Sequence, residues 1–169
     1  MSGAGGGTGN PGRAFERARP VLVLGLGNEI LSDDAVGLLA ARHLAGRLGD
    51  RADQAEACVA TLDLLTVIAG YQRVIVLDAY LSPTAPPGTA VRATPADLPS
   101  GFGYRSVHTL PFREMLDLGR HCGLPMPSEV VIHGLCVEEV STFGSRLTPR
   151  VEERWRSWAE EIAGREFEV

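Results

Sequence analysis

Hydrophobic and polar positions change period several times along the chain, and each change marks an element. Val21-Leu22-Val23-Leu24 is continuously apolar, the pattern of a strand covered on both faces. Beyond Gly25-Leu26-Gly27-Asn28-Glu29-Ile30-Leu31-Ser32-Asp33-Asp34, the residues Val36, Leu39, Ala40, Leu44 and Leu48 recur at helical spacing. They predict a helix from about Asp34 to Leu48, with Gly49 at its stop. A weaker strand is expected over Ala55 to Ala60. A short helix through Leu62, Leu64, Leu65 and Ile68 then closes at Gly70, and a second apolar run, Arg73 to Tyr80, reads as a central strand.

From Leu81 to Gly88 the chain is too short and too rich in proline for a crossover helix, so Thr89 to Ala93 should run antiparallel to a neighbour. A Pro/Gly loop from Pro95 to Gly103 leads to His108-Thr109-Leu110-Pro111, where Thr109 can cap and Pro111 can open a helix reaching about His121. Val130 to Leu135 is a further strand, followed by a loop carrying Glu138, Glu139 and Gly144. The last helix starts at Thr148-Pro149 and places Val151, Trp155, Trp158 and Ile162 on one stripe before Gly164. Both tryptophans read as core.

This order predicts an α/β protein: three α/β/α layers, with a twisted, mostly parallel mixed sheet of about five strands flanked by helices. One domain is expected over residues 20 to 169. Residues 1 to 19, glycine-rich and then basic through Arg13, Arg17 and Arg19, read as a flexible tail without the apolar segment of a secretory signal.

Composition narrows the function classes. With 169 residues, 44% hydrophobic, 22% charged and a net charge of -5, the chain has the balance of a soluble globular protein. Neither a nucleic-acid backbone nor an anionic membrane is an expected partner. Cys58, Cys122 and Cys136 form an odd set without CxxC spacing, read as reduced, mostly buried thiols of a cytoplasmic protein, expected to be a monomer.

Three candidates for chemistry share one structural address. Asp34 follows the turn after the first strand, Asp78 ends a central strand, and His108 stands just before a helix start. In open α/β sheets the carboxyl ends of strands and the adjoining helix starts form the ligand crevice. Two carboxylates and an imidazole make a metal set suited to a borderline divalent ion such as nickel or zinc. Other readings stand beside it: Asp33 and Asp34 as caps of the first helix, His43, His121 and His133 as structural, and Glu138 and Glu139 as a solvated loop. Glu29 either lines the crevice or faces water. A Gly-x-Ser-x-Gly elbow, a His-Glu-x-x-His helix, a Walker loop and the third glycine of a dinucleotide fingerprint are all missing.

The stretch Gly25 to Gly37 resembles the opening signature of the nickel-iron hydrogenase maturation endopeptidases, the hydrogenase-specific C-terminal proteases. Val74-Ile75-Val76-Leu77-Asp78-Ala79 is similar to their second motif, Pro87-Gly88-Thr89 to the following turn, and His108-Thr109-Leu110 to their histidine motif. Order and spacing agree over roughly residues 20 to 163. The resemblance implies that Asp34, Asp78 and His108 are the nickel-binding and catalytic positions, and that the fold is a twisted mixed sheet between helices. It also implies that the partner is a hydrogenase large-subunit precursor, which presents the nickel and loses a C-terminal extension. One departure is Cys58-Val59-Ala60-Thr61, where members often carry a Gly-Gly-Thr loop. A non-catalytic nickel-sensing chaperone, or another α/β hydrolase using the same crevice, remains an alternative.

Overall fold

Val21–Leu26 forms strand β1, and the chain then turns through a single 3-10 segment, Ser32–Ala35, into helix α1, Val36–Leu48. The structure, a computed structural model, describes residues 15–58, 63–97 and 112–169. The remaining elements are β2 (Asp53–Ala57), α2 (Asp63–Ile68), β3 (Arg73–Tyr80), β4 (Ala90–Ala93), α3 (Phe112–His121), β5 (Glu129–Cys136) and α4 (Pro149–Phe167). The five strands lie in the order β2-β1-β3-β5-β4. All neighbours are parallel except β4, which runs antiparallel to β5.

Two apolar layers hold helices against the two faces of this sheet. On one face Val36, Leu44, Trp158 and Ile162 of α1 and α4 bury Val23, Ile75, Leu77 and Leu135; on the other, Leu64, Leu65, Ile68, Phe112, Met115 and Leu116 of α2 and α3 bury Leu22, Leu24, Val74, Val76 and Ile132. The central strands alternate their side chains between these layers, which is why their sequences are apolar without interruption. The result is the expected three-layer architecture with a mostly parallel mixed sheet.

The chain leaves β1 for β2 through α1 on one face and returns through α2 on the other face to β3. The strand order therefore reverses between β1 and β3, the position where ligands enter open sheets of this kind. Close packing seals that point. A Cβ on Gly37 would lie 2.3 Å from the Leu26 carbonyl oxygen and 2.4 Å from that of Leu77, and one on Gly25 would lie 2.8 Å from the Gly37 oxygen. Only glycine lets the start of α1 press onto the ends of β1 and β3.

Several expectations shift in detail. The second strand is Asp53–Ala57 rather than Ala55 to Ala60: it is an edge strand of half-exposed, largely polar residues and carries little apolar signal. Helix α4 continues past Gly164 to Phe167 because Ala163, Glu166 and Phe167 are buried, and that packing outweighs the roughly 1 kcal/mol helix cost of one glycine. Residues before Pro20, expected as tail, also pack against the domain. Arg17 donates to the carbonyls of Thr66, Val67 and Ala69 at the end of α2 and stacks 4.8 Å above the Tyr71 ring, so a cation meets the negative end of that helix. Cys58 and Cys122 are exposed rather than buried; Cys136 alone is buried. The expected cap at Thr109 and the start at Pro111 lie outside the described residues.

Candidate functional site

The turn from β1 into α1 builds one wall of the crevice. Gly27, at φ +150, donates its amide to the Ala57 carbonyl, and its missing Cβ makes room for the Asp34 carbonyl 2.0 Å from where that atom would stand. Asn28 accepts the Ile30 amide through its own side chain at 3.2 Å, a local turn that releases the chain from the sheet. Ser32 then takes a left-handed φ of +46, a conformation of modest cost in a non-glycine residue. It is held there by its amide to the Gly144 oxygen at 2.8 Å and its hydroxyl to the Arg146 oxygen at 2.8 Å.

Asp33, expected as a helix cap, has a different role. Neither the 3-10 turn nor α1 carries a side-chain cap. The Asp33 carboxylate, fully buried, instead accepts the amides of Glu138 (3.1 Å), Glu139 (3.2 Å) and Thr148 (2.6 Å) and the Thr148 hydroxyl (2.9 Å). Thr148 is the N-cap residue of α4 and gives no cap bond to its own helix. Asp33 thus clamps the segment between β5 and α4, and the start of α4, onto the β1–α1 turn. A buried carboxylate answered by four donors is stable where an unanswered one is not.

Asp34 and Asp78 are the two described members of the expected set. Asp34 is 0% exposed and Asp78 4%. Asp34 sits in the 3-10 turn ahead of α1, so it lies before the helix start rather than in its first turn. Asp78 lies one residue beyond the last β1–β3 pair, Gly25 with Leu77, and its partner across the ladder on β5 is Gly134, which has no side chain. The topology therefore brings both carboxylates to the same end of adjacent strands at the point where strand order reverses. His108 lies outside the described residues, and among those described no group of three His, Cys, Asp or Glu side chains is placed to hold a metal ion.

The remaining candidates resolve into structural or surface roles. His133, buried on β5, bonds through Nε2 to Glu166 of α4 at 2.9 Å, and Glu166 also meets the guanidinium groups of Arg92 (2.9 Å) and Arg73. Burial alone raises the Glu166 carboxyl, yet Arg92 and His133 hold it down at about 2; burial lowers His133 below the usual imidazole range, partly offset by Glu166. His43 bonds to Glu160 at 2.7 Å, and His121 closes the end of α3 on the Asp117 carbonyl at 2.7 Å. Burial pushes the Cys136 thiol up, which disfavours the nucleophilic thiolate. Glu139, expected as solvated, accepts from Ser141 and Thr142 and is held at about 2. Glu29 lies at the surface and pairs with Arg42.

Sequence reading missed the Asp33 clamp and the Glu166 cluster, and only the second left a signal. Glu166 falls on the same stripe of α4 as Trp155, Trp158 and Ile162, while His133 sits in a buried strand. Two polar residues on apolar faces call for each other. The turn Pro87-Gly88-Thr89 lines a groove of about 420 Å3 with Arg150, Glu153 and Arg154 of α4. Neither Asp34 nor Asp78 lines it.

Comparison with known proteins agrees with this fold. A model of the HycI hydrogenase maturation protease family matches residues 43–165, a range that includes Asp78 and His108. The hydrogenase 2 maturation protease of Escherichia coli K12 is 30% identical over 135 residues, covering 78% of this chain and 81% of that protein. Among solved structures, the hydrogenase maturating endopeptidase HybD of E. coli superposes with a TM-score of 0.71 at 28% identity, covering 86% of this chain and 92% of that one. The [NiFe] hydrogenase maturation protease HybD of Thermococcus kodakarensis gives 0.67 at 25% identity, covering 86% and 97%.

Proposed function

The chain belongs to the hydrogenase maturation protease family, and from that membership we propose that it is an endopeptidase removing a C-terminal extension from the nickel-loaded large-subunit precursor of a nickel-iron hydrogenase. The observation that supports this reading best is the burial of Asp34, in the turn after β1, and of Asp78, near the carboxyl end of the adjacent β3, at 0% and 4% exposure where the order of the sheet reverses.

In this reading nickel is part of the substrate. Asp34, Asp78 and His108 supply two carboxylates and an imidazole, donors that a borderline divalent ion accepts. They recognise a precursor whose metal is in place and hold its C-terminal segment with the scissile bond in the crevice. A divalent ion held beside a peptide carbonyl polarises it or lowers the pKa of an attacking water. Asp33 fixes the wall that carries Asp34. The protein acts as a cytoplasmic monomer on a protein partner; among the described residues no helix is long and apolar enough to cross a membrane.

The test is to incubate the protein with nickel-loaded precursor and follow the mass of the large subunit. Wild type should remove the extension, while Asp78→Asn and His108→Ala should leave it in place. No mass loss with wild type would remove the protease reading; precursor binding without cutting would favour a chaperone. Cutting by both variants would remove the proposed site.

A further inference from the structure

Among the described residues, four large apolar side chains are exposed, and two of them flank one bridge between two loops. Ile30 is 57% exposed and Phe143 79%. Leu31 and Gly144 form a parallel bridge, with the Gly144 amide donating to the Ile30 oxygen at 3.0 Å and the Ser32 amide to the Gly144 oxygen at 2.8 Å. That register sets Ile30 alongside Phe143 at about the 5 Å spacing of paired strands.

The frame beneath them is fixed. Ser32 is held in its left-handed conformation by Gly144 and Arg146, and one residue on, Asp33 binds Glu138, Glu139 and Thr148. Exposed hydrophobic residues scattered singly are ordinary. A neighbouring pair presented to water by two loops cross-braced through a buried carboxylate is a built surface. Its position is informative as well, because Ile30 lies four residues before the buried Asp34, in the turn that leaves the carboxyl end of β1 where the strand order reverses.

We propose that Ile30 and Phe143 form an apolar docking rim for the folded body of the large-subunit precursor, engaging it while the C-terminal segment enters toward Asp34 and Asp78. The inference rests on the function proposed above. Continuity with the Asp34 turn selects the occupant: whatever delivers a C-terminal segment to this crevice must lie against its rim. An apolar contact there gives affinity without touching the reacting atoms.

The experiment compares wild type with the double variant Ile30→Ser/Phe143→Ser and with Leu118→Ser, an exposed apolar residue on α3. Processing of nickel-loaded precursor is followed across precursor concentrations, with binding measured by sedimentation. The double variant should raise KM about tenfold or more and weaken binding in step, with kcat within about twofold and an unchanged melting temperature. Leu118→Ser should behave as wild type. Unchanged KM and binding in the double variant would overturn the rim while leaving the protease reading intact. Failure of wild type both to bind and to cut would overturn both. Equal weakening of binding to an isolated C-terminal peptide would assign the rim to the tail, and a wild-type dimer split by the double variant would assign it to a second copy; either result overturns the proposal.

Discussion

Glu166 and Asp33 are both buried carboxylates, and the protein satisfies them in opposite ways. Glu166, 2% exposed at its side chain, is met by the side chains of Arg73, Arg92 and His133 drawn from β3, β4 and β5. Asp33 is met by three main-chain amides and one hydroxyl, all from the segment between Glu138 and Thr148. The first arrangement neutralises charge and pins the end of α4 to the sheet. The second uses an anion as a clamp and leaves the neighbouring Asp34 placed beside β3. Adjacent residues of the same type therefore serve different ends.

The sharpest way to break this contrast is Glu166→Ala, which leaves Arg92 and His133 without their carboxylate and Arg73 with Glu129 alone. It should destabilise by about 4 kcal/mol, lowering the melting temperature by roughly 10 °C in a chain of this size. Processing per folded molecule should be unchanged. Asp33→Ala should cost about 3 kcal/mol through orphaned amides and, unlike the first variant, should also depress processing because the Asp34 turn loses its brace. If both variants affected stability and processing in the same ratio, the distinction between lock and clamp would fail.

Gly37→Ala sharpens the comparison from the backbone side. Its Cβ would meet the Leu26 and Leu77 carbonyl oxygens at 2.3 and 2.4 Å, forcing α1 off the strands at a cost of about 2 kcal/mol; thermal melting together with the processing rate reports it.

The pH dependence separates the two regions further. Glu166 is depressed in the folded protein to about 2, so its stabilisation is present above the ordinary carboxyl value of about 4.3 and is lost as pH falls toward 2. His133 is also depressed, so its protonation favours the unfolded chain once pH falls below about 6.5. Stability should therefore decline on acidification from that point, and the decline below pH 4 should be smaller in Glu166→Gln; denaturant titrations across pH measure both. Leu118→Ser, by contrast, should move stability by less than about 0.5 kcal/mol.

Much of the frame was readable because its signals are local. Apolar runs gave β1, β3 and β5, helical spacing gave α1 and α4, and Thr148-Pro149 marked the start of α4. The edge strand β2 was misplaced because Asp53, Gln54 and Glu56 alternate around small residues rather than large apolar ones. Asp34 and Asp78 could be picked out because one comes just after the turn that leaves β1 and the other stands near the carboxyl end of β3. The role of Asp33 could not: its partners lie 105 to 115 positions away, and nothing near Asp33 announces them. For the same reason the exposure of Phe143 appears only once the loops are paired.

The central claim is that Asp78 acts on the substrate rather than on the fold. It is tested most directly by incubating Asp78→Asn, alongside wild type, with nickel-loaded large-subunit precursor and weighing the product. The account predicts a processing rate reduced by about a thousandfold while the variant melts cooperatively and still binds the precursor. Processing at the wild-type rate by a folded Asp78→Asn protein would contradict it.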